Sequence, residues 1–359
     1  MKYFMFLLMM ILPLMQIGCL KSKSSKDSQD PLVKTITVAN WSEKTPTTIR
    51  SASTRANHAF HSAVVYGSNM YVFGGIDAGG VKNDLLQYDF LANTWTTLTP
   101  GGFLPIARQK HSAVINGDKM YVFGGVNSGG NALRDVWVYD ITANTWTQRF
   151  DAPIYRYGHG AAIYTDEMYV FCGLDGANNP TNTIWKYNFA GDSWVQVIPS
   201  GGILPAARSS CCATSFSTIF MHNGNDGTLN WDNYLYAYDF ANNLWIAKTR
   251  FGEPRDFQAS SWANSKLYVF GGRQYDGEIR NDLWEFDPYF YPNQYATTST
   301  EVCTLVHGQD ITRTPGPRWG ASGISYNSSF YVYGGMDSGG NYLNELWECG
   351  FTFRQVPAN

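Results

Sequence analysis

The hexapeptide Met-Tyr-Val-Phe-Gly-Gly occupies residues 70–75 and returns letter for letter at 120–125, with Leu-Tyr-Val-Phe-Gly-Gly at 267–272 and Tyr-Val-Tyr-Gly-Gly at 331–335. Two altered copies, Tyr-Val-Phe-Cys-Gly at 169–173 and Phe-Met-His-Asn-Gly at 220–224, complete a series whose last glycines stand at 75, 125, 173, 224, 272 and 335. A period near 50 residues constrains the fold more than any other feature, because each unit of a repeat array must bury its apolar face on its neighbours. The last step is longer by an insertion over Tyr289–Glu301, after which Val302–Val306 is expected to form the outer strand of the fifth unit.

Other residues keep the same beat. Each glycine pair is followed by an alternating aromatic stretch, such as Val136–Ile141 (VWVYDI) or Ile184–Phe189 (IWKYNF), and then by a Trp at 95, 146, 194 or 245. Side chains two apart share a strand face, so Trp137 and Tyr139 are expected in one packing layer. Each unit offers four short strands, and "MYVF" is suited to a buried second strand. The glycines ending it allow positive φ and close approach of the next unit. No helical pattern follows them, so they are not a phosphate cradle.

The glycine pair, the Tyr and the Trp together resemble the kelch repeat from about Thr35 onward. The resemblance implies an all-β chain: a six-bladed kelch-type β-propeller with four antiparallel strands per blade, the ring closed by the N-terminal strand. Trp41 looks like part of an outer strand without a unit of its own, and little chain follows the third strand of the last unit. Residues Thr35–Trp41 are therefore expected to pair in the sixth blade. The architecture is similar to that of galactose oxidase, but no positions match its copper site.

Charged residues make up only 15% of the chain, against 35 Gly, 23 Tyr, 21 Phe and 12 Trp, and the net charge of −3 gives no basic surface for nucleic acid. Residues 1–18 read as a signal peptide, with Lys2 before a short apolar run. Gly18–Cys19 resembles a bacterial lipobox, with Gln16 in the place of the usual Leu, so Cys19 is the expected lipidation site. Residues 19–33 then form a flexible tether and 34–359 the propeller. An exported cell-envelope protein held at a membrane surface only by its lipid follows as an expectation, with plain secretion as the alternative.

Arg108, Arg156, Arg208, Arg255 and Arg318 precede the first strands of their units, with His58 in the corresponding place of the first. They are candidates to bind a carboxylate at one mouth of the channel. Their recurrence favours a structural role, bonding a neighbouring blade's acid or carbonyl. Trp319, Trp231 and Tyr275 are loop aromatics expected on the same face. The Asp and Asn residues of the loops after the phrase favour Asx-turns. His61, His111 and His159 take equivalent places in three blades and would be dispersed around a ring, so no metal is expected, nor any other cofactor. Cys172 replaces a phrase glycine and Cys211 a repeat His, which allows a disulfide from Cys172 to Cys211 or Cys212. His222 and Asn223 mark the fourth unit as the least regular. The function expected is a monomeric binding module for a protein or glycan ligand. The alternative is a carbohydrate epimerase of the sialic-acid mutarotase type, which the family resemblance suggests without mapped catalytic residues.

Overall fold

The computed structural model describes residues 33–44, 57–210, 212–215, 219–227, 231, 233–250, 252–287, 304–308 and 314–357. The signal peptide, Cys19, the tether as far as residue 32, Cys211 and Cys303 lie outside the described residues, as does the side chain of Cys212; so does the disulfide expected there. Two compact units are distinguished. Thr37–Arg354 holds the six main sheets; the other, 1–36 with 355–359, is described only as strand over 33–36 and 355–357.

Each glycine phrase is the second strand of an antiparallel sheet. In blade two, Ser112–Asn116, Lys119–Phe123, Val136–Asp140 and Thr145–Gln148 pair in sequence order, Met120 opposite Tyr139 and Tyr139 opposite Trp146. The alternation works as read: Trp137 and Tyr139 are buried with Phe73 and Tyr71 of blade one in one cluster. Equivalent clusters join the other blades, burying phrase residues such as Val72, Val122, Val269 and Val332 completely. Burial of this kind is worth roughly 1.5–3 kcal/mol per large apolar side chain.

The six first strands, beginning at Ser62, Ser112, Gly160, Cys212, Ala259 and Ser322, each lie beside the next, and the sixth lies beside the first. This is a six-bladed propeller arrangement of mostly four-stranded antiparallel sheets.

Two details correct the sequence expectation. Three sheets have five strands, with a parallel edge pair: Gly101–Gly102 beside Thr145–Trp146, Gly201–Gly202 beside Leu244–Trp245, and His307–Gly308 beside Val38–Ala39. The expected closure of the ring by the N-terminal strand is also overturned, because every sheet is open at both edges. Val33–Glu43 is an inner member of one such open sheet, between Leu346–Pro357 and His307–Gly308.

What joins the last blade to the first is backbone bonding near the axis. The amide of Lys110 donates to Phe60 O at 2.8 Å, Gly158 to Lys110 O at 2.8 Å, Ser210 to Gly158 O at 2.6 Å, Phe257 to Ser210 O at 3.3 Å, Gly320 to Phe257 O at 2.8 Å, and Phe60 to Gly320 O at 2.7 Å. Six bonds thus run head to tail through all six blades. In a second such series the last glycine of each phrase donates to the residue at the next arginine position, from Gly75 to Arg108 O at 2.8 Å round to Gly335 to His58 O at 2.9 Å.

Candidate functional site: the mouth of the central channel

The second series explains the glycine pair. A Cβ on Gly74 would lie 2.7 Å from Arg108 O, and one on Gly334 2.5 Å from His58 O; both residues have φ in the left-handed region. The first glycine therefore makes room for the next blade's carbonyl, while the second supplies the amide that binds it.

The arginines complete that joint. Arg108 is fully buried; its Nε donates to Ile106 O and its Nη1 to Gly124 O, while Nη1 and Nη2 take the two oxygens of Asp135 at 2.8 and 2.7 Å. Arg255 repeats the pattern with Glu253 O, Gly271 O and Asp282. Arg318 bonds Gly316 O and Gly334 O and pairs with Glu345 at 3.2 Å. Arg208 bonds Ala206 O and Asn223 O and lies over the ring of Tyr236. Arg156 instead uses the hydroxyls of Thr181 and Thr183. Each of these partners belongs to the arginine's own blade, not to a neighbour. His58, also buried, stands 3.4 Å from Asp84, and burial holds its pKa below the ordinary value against the pull of that carboxylate.

The histidines are likewise structural. His111 Nε2 meets Ser62 Oγ at 2.9 Å and His159 Nε2 meets Ser112 Oγ at 2.7 Å, each across a blade boundary. Burial depresses His61 and His159 to about 3, so both are neutral at ordinary pH. Among the described residues no group of three or more His, Cys, Asp or Glu side chains could hold a metal. The loop carboxylates and amides serve their own turns: Asp77, Asn127, Asp175, Asn225, Asp276 and Asp337 each accept an amide two residues on, at 2.7–3.0 Å.

With these residues committed, a different set faces the axis. The residues of the first backbone series, two positions after each arginine or His58, line a cavity of about 110 Å³ at the channel mouth. There the repeat is free to vary: Phe60, Lys110, Gly158, Ser210, Phe257 and Gly320. Phe60 and Phe257 meet edge to face at 4.8 Å, and Trp319 packs 4.9 Å from Phe60 and 5.7 Å from Phe257. Lys110 Nζ sits 5.4 and 5.3 Å from the two phenylalanine rings, a cation–π arrangement. It has no ion-pair partner within 4.0 Å among the described residues. Burial pushes its pKa down; the charge of Asp256 opposes this and that of Arg273 adds to it. Arg273 stacks 4.1 Å above the ring of Trp319 and holds the buried Asp256 through two bonds, at 3.2 and 2.7 Å.

Of the residues expected to bind ligand, the structure thus brings Trp319 to the mouth and buries the five arginines to 0–3% exposure. Tyr275, 60% exposed, follows the strand Arg273–Gln274. Trp231 is half-buried and does not line this cavity. Lys110, Phe60, Phe257 and Arg273 were not singled out from the sequence. The available signal was the variable position inside an otherwise constant repeat.

Comparison with known proteins agrees with this architecture. The family described as the KLHDC2/KLHL20/DRC7 Kelch-repeats domain matches residues 21–152 and, in an overlapping alignment, 60–254. Kelch domain-containing protein 3 of Bos taurus is 32% identical over 165 residues, which cover 43% of this chain and 42% of that protein. The match thus spans less than half of the relative's length. The chain belongs to the kelch-repeat family.

Proposed function

We propose that this kelch propeller is a protein-interaction module whose partner docks on the channel mouth and presents an acidic group to Lys110. The observation that carries the reading is the Lys110 ammonium, which caps the Phe60–Phe257 ring pair at 5.4 and 5.3 Å with no carboxylate within 4.0 Å among the described residues. Arg273 and Trp319 extend the same surface with a second cation and an indole face. Aromatic and arginine side chains commonly carry the energy of such contacts, since they bury much area at small entropic cost. A half-desolvated cation adds selectivity for an acidic partner and makes binding depend on salt.

For the mutarotase reading, arginines at the channel would suit a carboxylated sugar. Their burial and their bonds within the blades remove that support.

The test is affinity capture from the native source by the purified full chain, compared with Lys110→Glu and Arg273→Glu variants of equal thermal stability. The expected result is a set of partners retained by the parent and reduced at least tenfold by Lys110→Glu, with recovery falling as salt rises. A partner set unchanged in both variants overturns the proposal. So does acceleration of sialic-acid anomer exchange by catalytic amounts of protein, followed by NMR.

A further inference from the structure

The outer edges of the blades are not alike. In blade two Gly101–Gly102 lies parallel to Thr145–Trp146, and in blade four Gly201–Gly202 lies parallel to Leu244–Trp245. Each added strand is part of the linker that enters its blade. The linkers into blades two and four are long: Arg108 follows Trp95 by 13 positions and Arg208 follows Trp194 by 14. In the linker into blade three, Arg156 follows Trp146 by only 10. This short linker reaches the blade through Phe150 N, which donates to Asp192 Oδ1 at 3.0 Å. Among the described residues no strand pairs with the outer edge of Ser193–Val197.

A cavity of about 540 Å³ opens where the other two blades hold their fifth strand. Arg134 and the linker residues Phe150–Pro153 line one side of it, and Asp192, Ser193 and Trp194 the other. The last three match Asn144, Thr145 and Trp146 of blade two, which Gly101 and Gly102 engage. In blade four Ile203 N donates to Trp245 O at 3.1 Å, so that carbonyl faces the added strand. Trp194 stands opposite Tyr187 as Trp245 stands opposite Tyr238. In an antiparallel ladder the amide and carbonyl of one residue face the same edge, so Trp194 turns both groups toward the cavity. The charged side chains around it are engaged: Asp192 also accepts from Tyr187 Oη, and Arg134 pairs with Asp151 at 3.8 Å. What stays open is main chain and apolar surface. Phe150, Val195 and Ile198 are 69, 54 and 66% exposed, and Val195 stands where blade two has Thr147. An open edge of this kind is a template for another chain.

The occupied blades specify what fits. A Cβ on Gly102 would lie 2.5 Å from Trp146 O, and one on Gly202 2.1 Å from Trp245 O, at φ of 86° and 88°. The preceding Gly101 meets nothing closer than 3.5 Å, and Gly201 nothing within 4 Å. One glycine is therefore required, opposite the Trp, and the place before it tolerates a side chain. The volume is within the range of ordinary ligand pockets, roughly 300–1,000 Å³.

We propose that blade three binds an extended, uncharged segment of a partner protein as a parallel fifth strand, with glycine opposite Trp194 and an apolar residue after it against Phe150. The site shares no lining residue with the channel mouth, and its test does not involve Lys110.

The probe is an end-blocked peptide with the sequence of residues 198–206, the segment that makes this pairing in blade four, titrated calorimetrically into the full chain. Saturable one-to-one binding is expected. Gly202→Ala in the peptide should weaken it at least tenfold, and Gly201→Ala less than threefold. In the protein, replacing residues 149–155 by the sequence of residues 98–107 gives blade three the longer linker and should abolish binding by filling the slot from within. Should that graft unfold, Phe150→Ala serves as a second variant and should weaken binding at least threefold. No saturable binding by the parent, equal losses from the two glycine substitutions, or unchanged binding in the folded variants would each overturn the site.

Discussion

Blade two and blade three perform the same task with different side chains. In blade two Arg108 meets the carboxylate of Asp135, which also accepts from Trp137 Nε1 at 2.6 Å, and Gly124 gives way to the next blade's carbonyl. In blade three Thr183 stands in the place of Asp135, and the Nε of the buried Arg156 meets no partner among the described residues. Burial pushes that guanidinium below its ordinary pKa, with Cys172 and Asp175 opposing. Cys172 takes the first glycine's place, with φ of 58° against 62° for Gly124. Yet the inter-blade bond is the same length in both: Gly125 N to Arg156 O and Gly173 N to Arg208 O, each 2.8 Å. The backbone bonds are the constant of the architecture, and the side chains reinforce them to different degrees.

The comparison can be broken most directly at the carboxylate. Asp135→Ala strands the buried charge of Arg108 and should cost about 3–5 kcal/mol. Thr183→Val removes a neutral hydroxyl from Arg156 and should cost about 1 kcal/mol. Urea unfolding of both variants checks this, and equal losses would mean that the two joints are equivalent.

The next largest effect concerns the phrase. Gly124→Ala forces a Cβ toward Arg156 O at positive φ and should cost about 2 kcal/mol. Cys172→Gly removes a side chain from the same kind of position and should change stability by less than about 1 kcal/mol. Thermal midpoints of the pair distinguish a blade that has adapted to its Cys from one that is strained by it.

The last effect is in pH, and it accumulates unit by unit. His61, His159 and His222 are buried and held at about 3 by desolvation, below the unfolded value near 6.5. The unfolded chain therefore takes up protons first. The stability these groups contribute is complete above about pH 6.5 and is lost as pH falls toward 3, by at most about 1.4 kcal/mol per unit for each histidine. His159→Gln should flatten the slope of unfolding free energy between pH 6 and 4 relative to the parent.

The blade plan was legible because strand period and repeat period are local properties: Trp137, Tyr139 and Trp146 report their packing layer from spacing alone. Five-stranded sheets were not legible, since Gly101–Gly102 pairs with a strand more than 40 residues away and carries no side chain to announce it. The joint between the last and first blades was hidden for a related reason. It uses main-chain groups of Phe60, Gly320, His58 and Gly335, which every residue type but proline possesses. The candidate site was legible only in its Trp319. Lys110 and Arg273 come from different blades and meet the same aromatic cluster only through the ring. The arginines drew notice because they recur, and recurrence marked a requirement of the blade.

The head-to-tail series from Phe60 to Gly320 has neither a first nor a last member. A helix leaves unpaired amides at one end and unpaired carbonyls at the other, whereas this circuit leaves none. Excising one blade would orphan a donor and an acceptor at the axis, so the number of blades behaves as a single indivisible quantity. The place where the covalent chain begins is under no such constraint, because a circular permutant opened in a surface loop would keep all six bonds.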